Sequence, residues 1–145
     1  MSSSIPTLPK GYILHDEPPS ATAYLALRTL SGLSPKTSEQ ASGALAGSWD
    51  FCHIVHEASS TTVGMGRTIG DGGWYFHIAD MAVLPEHQRK GLGDVIMARL
   101  VGRIRQRAPP GAYVTLLADV PGRRLYERHG FEETGPTSIG MARLS

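Results

Sequence analysis

Cysteine and long apolar runs are scarce in this sequence, and each scarcity excludes a class of protein. The 145 residues include one cysteine, which allows neither an internal disulfide nor a cysteine-based zinc site. This count excludes disulfide-stabilised extracellular scaffolds and predicts a cytoplasmic protein. No apolar run approaches the roughly 18 to 20 residues that cross a bilayer, and residues 1–6 lack the basic and apolar segments of a signal peptide. We therefore expect no membrane partner.

A large charge of one sign is also missing. The 14 lysine and arginine residues nearly balance the 13 aspartate and glutamate residues, so the net charge is +1. A strongly basic nucleic-acid-binding domain needs a much larger positive field, so we expect no nucleic-acid partner. The six histidines form no i, i+4 pair and no His-Glu-x-x-His motif, which predicts that the protein binds no metal.

Glycine and proline are plentiful by contrast, with 17 glycines and 10 prolines. Because the chain has no internal repeat and no low-complexity tract, this excess predicts many turns between short elements. The length and the 41% share of hydrophobic residues allow one compact domain with its own core. We predict a single domain over residues 1–145, in which residues 1–10, rich in serine and proline, form a loose arm.

The hydrophobic pattern alternates between strand-like and helical along the chain. Apolar residues at helical spacing predict helices, with Ser20 as the N-cap of the first, over residues 20–30, 38–45, 92–107 and 121–129. Short apolar runs predict strands over residues 11–15, 51–57, 61–69, 74–84, 113–118, 131–134 and 139–144. The nearly continuous apolar run at 113–118 is typical of a central strand covered on both faces. This order predicts an α+β, or mixed α/β, domain.

The segment most informative about chemistry is residues 80–94, a strand followed by a basic loop and a long helix. Such a loop directs backbone N–H groups toward one point beside the positive end of the helix dipole, and its glycines let an anion approach closely. A Walker loop is disfavoured because Lys90 precedes the glycine and no hydroxyl follows it. A Rossmann fingerprint is disfavoured because Ile96 occupies the position of its third glycine. A different phosphate site and a simple tight turn at Gly91 and Gly93 are the two interpretations left.

Two motifs carry a resemblance to a known family. Residues 88–93, Gln-Arg-Lys-Gly-Leu-Gly, match the Gln/Arg-x-x-Gly-x-Gly/Ala signature of the GNAT superfamily of N-acetyltransferases. Residues 124–131, Arg-Leu-Tyr-Glu-Arg-His-Gly-Phe, resemble the family's second common segment, Leu-Tyr-x-x-x-Gly-Phe. The resemblance implies a central, mostly antiparallel, twisted sheet of about six to seven strands, flanked by about four helices. It also implies a V-shaped splay between the fourth and fifth strands.

The resemblance further implies that acetyl-coenzyme A is the co-substrate. The pantetheine arm would pair with the free edge of the fourth strand as an added strand does, and the pyrophosphate would lie on the N–H groups of residues 88–94. A local basic cluster on a nearly neutral protein suits a small polyanion better than a nucleic acid. For the arginines after residue 120, a solvated helix face is the alternative interpretation. The implied cofactor-binding residues are Met81, Ala82, Val83, Gln88, Arg89, Lys90, Gly91, Leu92, Gly93, Asp94, Asp119, Arg123 and Arg128.

Catalytic roles follow from the same resemblance. Acyl transfer straight to an amine needs no nucleophilic side chain, so we expect Cys52 to be a core residue. The family's tyrosine corresponds to Tyr126, whose phenol, with an ordinary pKa of about 10, could protonate the leaving thiolate. A base on the fourth strand would be His77, which titrates near neutral pH, or Asp80, which could instead bind a cationic amine. Bulk water, or an amine that arrives deprotonated, is the other possibility.

The acceptor is expected to be a primary amine of a small molecule. In the family, the first two helices, their connection and the outer strands form the variable wall, which implies Arg28, Leu33 and Trp74 as substrate-binding residues. Trp74 could equally cap the core. The first-helix region has few acidic residues to attract a polycation, which favours a small amine over a basic peptide. The alternatives are a protein N-acetyltransferase and a non-catalytic coenzyme A-binding module, and a homodimer is an expected possibility.

Overall fold

The computed structural model describes residues 6–145, so the first half of the expected arm at residues 1–10 lies outside the described residues. Residues 6–10 contain no helix or strand, although Leu8 packs against the core. The strands are β1 (Tyr12–His15), β2 (Asp50–His56), β3 (Thr61–Gly70), β4 (Tyr75–Val83) and β5 (Tyr113–Thr115). The helices are α1 (Ala21–Leu30), α2 (Ser38–Gly47), α3 (Leu92–Arg107) and α4 (Arg123–Arg128). Short 3₁₀ turns at Pro85–His87 and Val120–Gly122 precede α3 and α4.

The five strands form one mixed sheet in the order β1-β2-β3-β4-β5. The first four strands pair antiparallel, as hairpin-length connections allow, and β5 joins β4 in parallel after the α3 crossover. The mixed α/β class, the mostly antiparallel sheet and the four helices are therefore confirmed. The strand count is lower than predicted.

The two strands predicted after residue 130 are wrong, because residues 116–145 contain no strand. Glu132 and Glu133 lie within the first of these predicted strands, and the Gly135–Pro136 pair lies between the two. Charged residues and glycine are poor strand formers, and proline cannot donate to a ladder. The apolar alternation near the C-terminus is too short to overcome these breakers.

Because these two strands are absent, β5 lies at the edge of the sheet rather than in its centre. The sequence predicts a central strand over residues 113–118, whereas β5 ends at Thr115 and forms the edge of the sheet. Tyr113 is 46% exposed and Leu117 is 64% exposed, so this part of the chain is not covered on both faces. An apolar run in the sequence predicts a strand, but whether that strand is buried depends on which other segments pack beside it.

The helix ends follow local capping chemistry. Ser20 caps α1, as predicted, and its hydroxyl accepts a hydrogen bond from the Ala23 N–H at 3.1 Å. The cap of α2 is Thr37, which forms a reciprocal capping box with Gln40. This Thr-x-x-Gln pair is a start signal that was not used in the prediction, and α2 continues to Gly47 rather than ending at residue 45 as predicted.

Helix α3 covers one face of the sheet and contacts β2, β3 and β4. Close contact requires glycine on β3: a Cβ at Gly66 would stand 2.7 Å from both Ile96 Cγ2 and Met81 Sδ. Cys52 lies in the core, as expected, and burial raises the pKa of its thiol to about 12. Between residues 6 and 145, none of the helices combines the length and the apolar character that a membrane crossing requires.

Candidate active site

A cleft opens where β4 and β5 separate. The two strands pair only from Tyr75↔Tyr113 to His77↔Thr115, and the chain beyond Thr115 leaves the sheet. The splay expected between the fourth and fifth strands is therefore present. A cavity of about 100 Å³ lies between the separated segments. Its lining residues are Leu33, Ile78, Ala79, Asp80, Met81, Leu116, Leu117, Asp119 and Tyr126.

A larger groove of about 1060 Å³ continues from this cleft along β5 and the C-terminal segment. Leu116, Leu117, Asp119 and Tyr126 line both cavities, so the cleft and the groove meet at these four residues. His77 and Arg123 line the groove. The cleft and the groove thus bring together seven of the predicted site residues, from the α1–α2 connection, from β4 and from the segment after β5: Leu33, His77, Asp80, Met81, Asp119, Arg123 and Tyr126.

Strand β4 carries a bulge at the cleft. Met65 pairs with Ala82 and Arg67 pairs with Ala79, so the single residue Gly66 stands opposite both Asp80 and Met81. Asp80 has φ of +55°, in the left-handed region that aspartate tolerates better than most residues. The bulge changes which way the following side chains point, which explains why strand parity could not assign Asp80 to a face.

The Asp80 carboxylate is surrounded by donors. Tyr24 donates from its phenol at 2.5 Å, Arg67 donates from Nε at 2.7 Å, and Arg28 forms an ion pair with the other oxygen. Burial by itself would raise the pKa of Asp80, but the hydrogen bonds from Tyr24 and Arg67 and the two guanidinium charges outweigh burial and lower it. A carboxylate held in this way is a poor proton acceptor, so the geometry does not favour Asp80 as the base.

His77 is half-buried on the paired part of β4. Its Nδ1 lies 2.8 Å from the Thr115 hydroxyl oxygen. Burial, and then the positive charge of Arg67, lower the pKa of the imidazole. Both causes disfavour the protonated form, so His77 is held neutral near physiological pH.

Tyr126 projects from α4 toward the cleft. The side chain packs against the core, and its ring centroid lies 6.4 Å from that of Phe131 in an edge-to-face arrangement. Burial, and then the negative charge of Asp119, raise the pKa of the phenol. Tyr126 is therefore a protonated donor across the physiological pH range.

The basic loop leads from β4 into α3. The Gln88 side-chain amide donates to the Val83 carbonyl at 3.0 Å and so holds the loop to the end of β4. Arg89 has φ of +62° and Gly91 has φ of +81°, and Gly91 is the N-cap of α3. No side chain caps this helix, so its first-turn N–H groups are open to an anion.

Side chains of three predicted cofactor residues are engaged within the protein. Asp94 forms an ion pair with Arg128 at 3.1 Å and a second contact with His129 at 2.9 Å, which ties α3 to α4. The Arg123 Nε donates to the Ala118 carbonyl at 3.4 Å. The Asp94 carboxylate is thus occupied by two partners, whereas Arg123 and Arg128 are exposed and can still reach solution.

The three predicted acceptor residues do not lie together. Leu33 lines the cleft. Arg28 is 8% exposed and bonds Asp80 and the Ser34 carbonyl, so its charge is already paired inside the protein. Trp74 is 59% exposed at the other end of β4, six residues and roughly 20 Å from Asp80. A molecule held in the cleft at Leu33 would not touch Trp74.

The arrangement combines an open strand edge, an uncapped helix N-terminus and a protonated phenol at the meeting of two cavities. The family model described as an acetyltransferase (GNAT) domain matches residues 32–140. The chain belongs to the GNAT acetyltransferase family.

Relatives and solved structures agree with this assignment. An uncharacterized N-acetyltransferase, ycf52, of Porphyra purpurea is 32% identical over 76 residues, which are 52% of this chain and 42% of that protein. The chain therefore matches less than half the length of this curated relative. A Staphylococcus aureus protein of unknown function, described as a probable acetyltransferase, has a TM-score of 0.87 at 36% identity and covers 92% of this chain and 99% of its own. A GNAT family protein of Streptococcus pneumoniae shares the fold, with a TM-score of 0.75 at 24% identity over 92% of this chain and 98% of its own.

GNAT enzymes generally use acetyl-coenzyme A. A fit to this large anionic molecule requires an anion site beside an open strand edge, and both are present at the start of α3 and along the unpaired part of β4. Over residues 6–145, no group of three or more histidine, cysteine, aspartate or glutamate side chains is close enough to hold a metal ion.

Several residues at the site of this GNAT domain were not predicted from the sequence. Tyr24 and Arg67 bond Asp80, and Gly122 lies directly against the Tyr126 ring. The spacing of Gly122 four residues before Tyr126 on a short helical segment is a signal that could have indicated their contact. Tyr24 lies 56 residues from Asp80 along the chain, and no local pattern connects them.

Proposed function

We propose that this GNAT domain is an acetyl-coenzyme A-dependent N-acetyltransferase that transfers the acetyl group directly to a primary amine of a small molecule. The observation that carries the proposal is the position of Tyr126 at the junction of the cleft and the groove, beside the strand edge that β5 leaves unpaired. A phenol there can donate a proton to a group bound between the separated strands.

Cofactor binding is assigned to two parts of the chain. The edge of β4 from Met81 to Val83 would pair with the pantetheine arm, and the N–H groups of residues 88–94 would hold the pyrophosphate. Arg89 and Lys90 are exposed beside these groups, where their charges favour a diphosphate. When bound, acetyl-coenzyme A supplies the thioester carbon that the amine attacks.

Tyr126 is assigned the role of general acid. Its raised pKa keeps the phenol protonated, which is the form that can protonate a departing thiolate. Asp119 faces the same junction and supports this role, because its negative charge opposes ionisation of the phenol.

His77 is assigned the role of base. The Thr115 hydroxyl lies 3.4 Å from the Phe76 carbonyl, to which it can only donate, so it accepts from a protonated Nδ1 of His77. Nε2 then carries the lone pair and can accept the amine proton directly or through water. His77 and Tyr126 line the same groove, which is consistent with one proton being removed and another delivered during one transfer.

The chemistry of the cleft supports a small acceptor. Leu33, Leu116 and Leu117 provide an apolar wall, and Asp119 provides a negative charge that attracts a protonated amine. We expect a compact amine with an apolar body rather than a polypeptide.

The test measures acetyl-coenzyme A binding by calorimetry and coenzyme A release over a panel of amines, amino acids and peptides. The wild type should bind acetyl-coenzyme A and release thiol with at least one amine. Tyr126→Phe should keep the affinity and lose roughly 10²- to 10⁴-fold in kcat. Tyr113→Phe, which removes a phenol hydroxyl at the exposed edge of β5, is the matched control and should retain activity.

Tight binding without thiol release for any acceptor would contradict the enzymatic role and favour the coenzyme A-binding module. Release with peptides alone would contradict the small-molecule assignment and leave the acyltransferase assignment in place.

A further inference from the structure

Four side chains from three elements meet behind the wall of the cleft. Tyr24 and Arg28 come from α1, Arg67 comes from β3, and all three bond Asp80 on β4. Tyr24 is 2% exposed and the Asp80 side chain is 7% exposed, so the group is withdrawn from water. Arg67 also donates to the Ser48 hydroxyl at 3.2 Å.

These contacts hold a backbone conformation that aspartate adopts only at a cost. Asp80 is in the left-handed region at the bulge opposite Gly66, and such a conformation persists where surrounding contacts over-determine it. Three donors on one carboxylate supply that constraint. The next residue on the strand, Met81, lines the cleft together with Asp80, so the bulge shapes the wall where a ligand would lie.

The four side chains of the group around Asp80 do not balance in charge. Together they contain two guanidinium groups and one carboxylate, while burial and the nearby Asp80 raise the pKa of Tyr24 and keep its phenol neutral. A net positive charge therefore stands in a poorly solvated region beside the cleft. Arg67 is the cation of this group that lies nearest to His77 in the sheet. Arg67 pairs with Ala79 on β4, and His77 is the next residue of β4 on the same face.

We propose that Tyr24 and Arg67 are positioning residues for acetyl transfer, which hold the β4 bulge through Asp80 and set the environment of His77. The inference rests on the proposed function and adds two residues to it. Neither residue lines the cleft, so both act through Asp80 and His77 rather than by touching a substrate.

The groups facing His77 can be named on each side. The neutral Thr115 hydroxyl faces it from β5, and Arg67 on β3 is the nearby cation. Asp80, further along β4, is paired with Arg28 from α1. Arg67 favours the neutral imidazole because a like charge nearby disfavours protonation. Removing that cation should raise the pKa of His77 toward its ordinary value.

The experiment compares Tyr24→Phe, Arg67→Met and Arg67→Lys with the wild type. Tyr24→Phe keeps the ring that packs edge-to-face on Phe51 at 6.1 Å and removes only the hydroxyl, so it is the variant that should fold in any case. Arg99→Met is the matched control, because it removes an arginine–aspartate bond of 2.6 Å to Asp16 that lies away from the cleft. Thermal unfolding, kcat, KM for acetyl-coenzyme A and the NMR titration of the His77 ring are measured for each.

We expect kcat to fall roughly 10- to 100-fold in Tyr24→Phe and Arg67→Met, since small displacements at a reacting site have effects of this size. KM for acetyl-coenzyme A should change much less, because the loop at residues 88–94 is untouched. The His77 titration should move to higher pH in Arg67→Met, and Arg67→Lys should restore the titration and part of the rate. Arg99→Met should change neither.

Folded Tyr24→Phe with unchanged kcat, or an unchanged His77 titration in Arg67→Met, would overturn the inference. The outcome is separate from that of the proposed function. If the wild type transfers no acetyl group to any amine, the proposed function fails, and the His77 titration in the variants still decides whether Arg67 acts on that ring.

Discussion

The backbone of Gly122 lies directly against the phenol of Tyr126. A Cβ at position 122 would stand 2.8 Å from Cε2, closer than real Cβ contacts allow, and 3.0 Å from the phenolic oxygen. Glycine at this point of the turn before α4 therefore leaves the space that the Tyr126 ring occupies.

Gly122→Ala should displace the Tyr126 ring and lower kcat roughly 10- to 100-fold. The stability cost should be about 1–3 kcal/mol, as for other overpacking substitutions. Gly102→Ala is the control: it lies inside α3, its Cβ would meet no atom within 4 Å, and it should stabilise the protein by roughly 0.5–1 kcal/mol. Steady-state kinetics and urea unfolding check both variants. Equal kcat values for Gly122→Ala and wild type would show either that Tyr126 takes no part in the reaction or that its ring can shift without loss of function.

Gly91→Ala should weaken acetyl-coenzyme A binding. The position is open in space but has φ of +81°, so the alanine is strained and shifts the first turn of α3, where the pyrophosphate is proposed to bind. Gly111→Ala has the same kind of strain, with φ of +91° and no atom within 4 Å, but lies before β5 away from the loop. Calorimetry should show a loss of affinity for Gly91→Ala alone. Equal affinities in the two variants would contradict the assignment of the phosphate site.

Activity should depend on the protonation of His77. Because burial and Arg67 lower the pKa of His77, the neutral base is present above that pKa and is lost as the pH falls through it. The acidic limb of kcat/KM should therefore lie below about 6.5, the ordinary histidine value. In His77→Gln this limb should disappear and the rate should fall. A limb retained in His77→Gln would assign the base to another group or to water.

Asp80→Asn should destabilise the fold strongly. The change leaves Arg28 and Arg67 buried without a counter-charge, and breaking a buried ion pair from one side costs about 3–5 kcal/mol. Asp16→Asn removes the carboxylate that pairs with Arg99. Because the Asp16 side chain is 55% exposed, this change should cost about 1 kcal/mol or less. Urea unfolding compares the two. Similar small costs for both would show that the Asp80 group is not a structural centre.

Local patterns were sufficient for most elements but not for the C-terminal third. The helices begin and end where capping residues and glycine or proline allow, which is why α1 and α3 match the sequence prediction. The predicted burial of β5 depended on two strands that do not form, since Glu132 and Glu133 lie within the first and Pro136 lies between the two. A sequence pattern can identify an apolar run, but it cannot show which distant segment will cover it.

The candidate site divides in the same way. The basic loop and the Tyr126 motif are contiguous segments, so sequence alone identified them and the family to which the chain belongs. The role of Asp80 could not be inferred, because its partners lie 13, 52 and 56 residues away and meet it only across the sheet and α1. Sequence by itself determined the family and most of the elements through local hydrogen bonding and spacing. Only the tertiary structure decided which charges are paired and which remain open, because pairing depends on distances that folding creates.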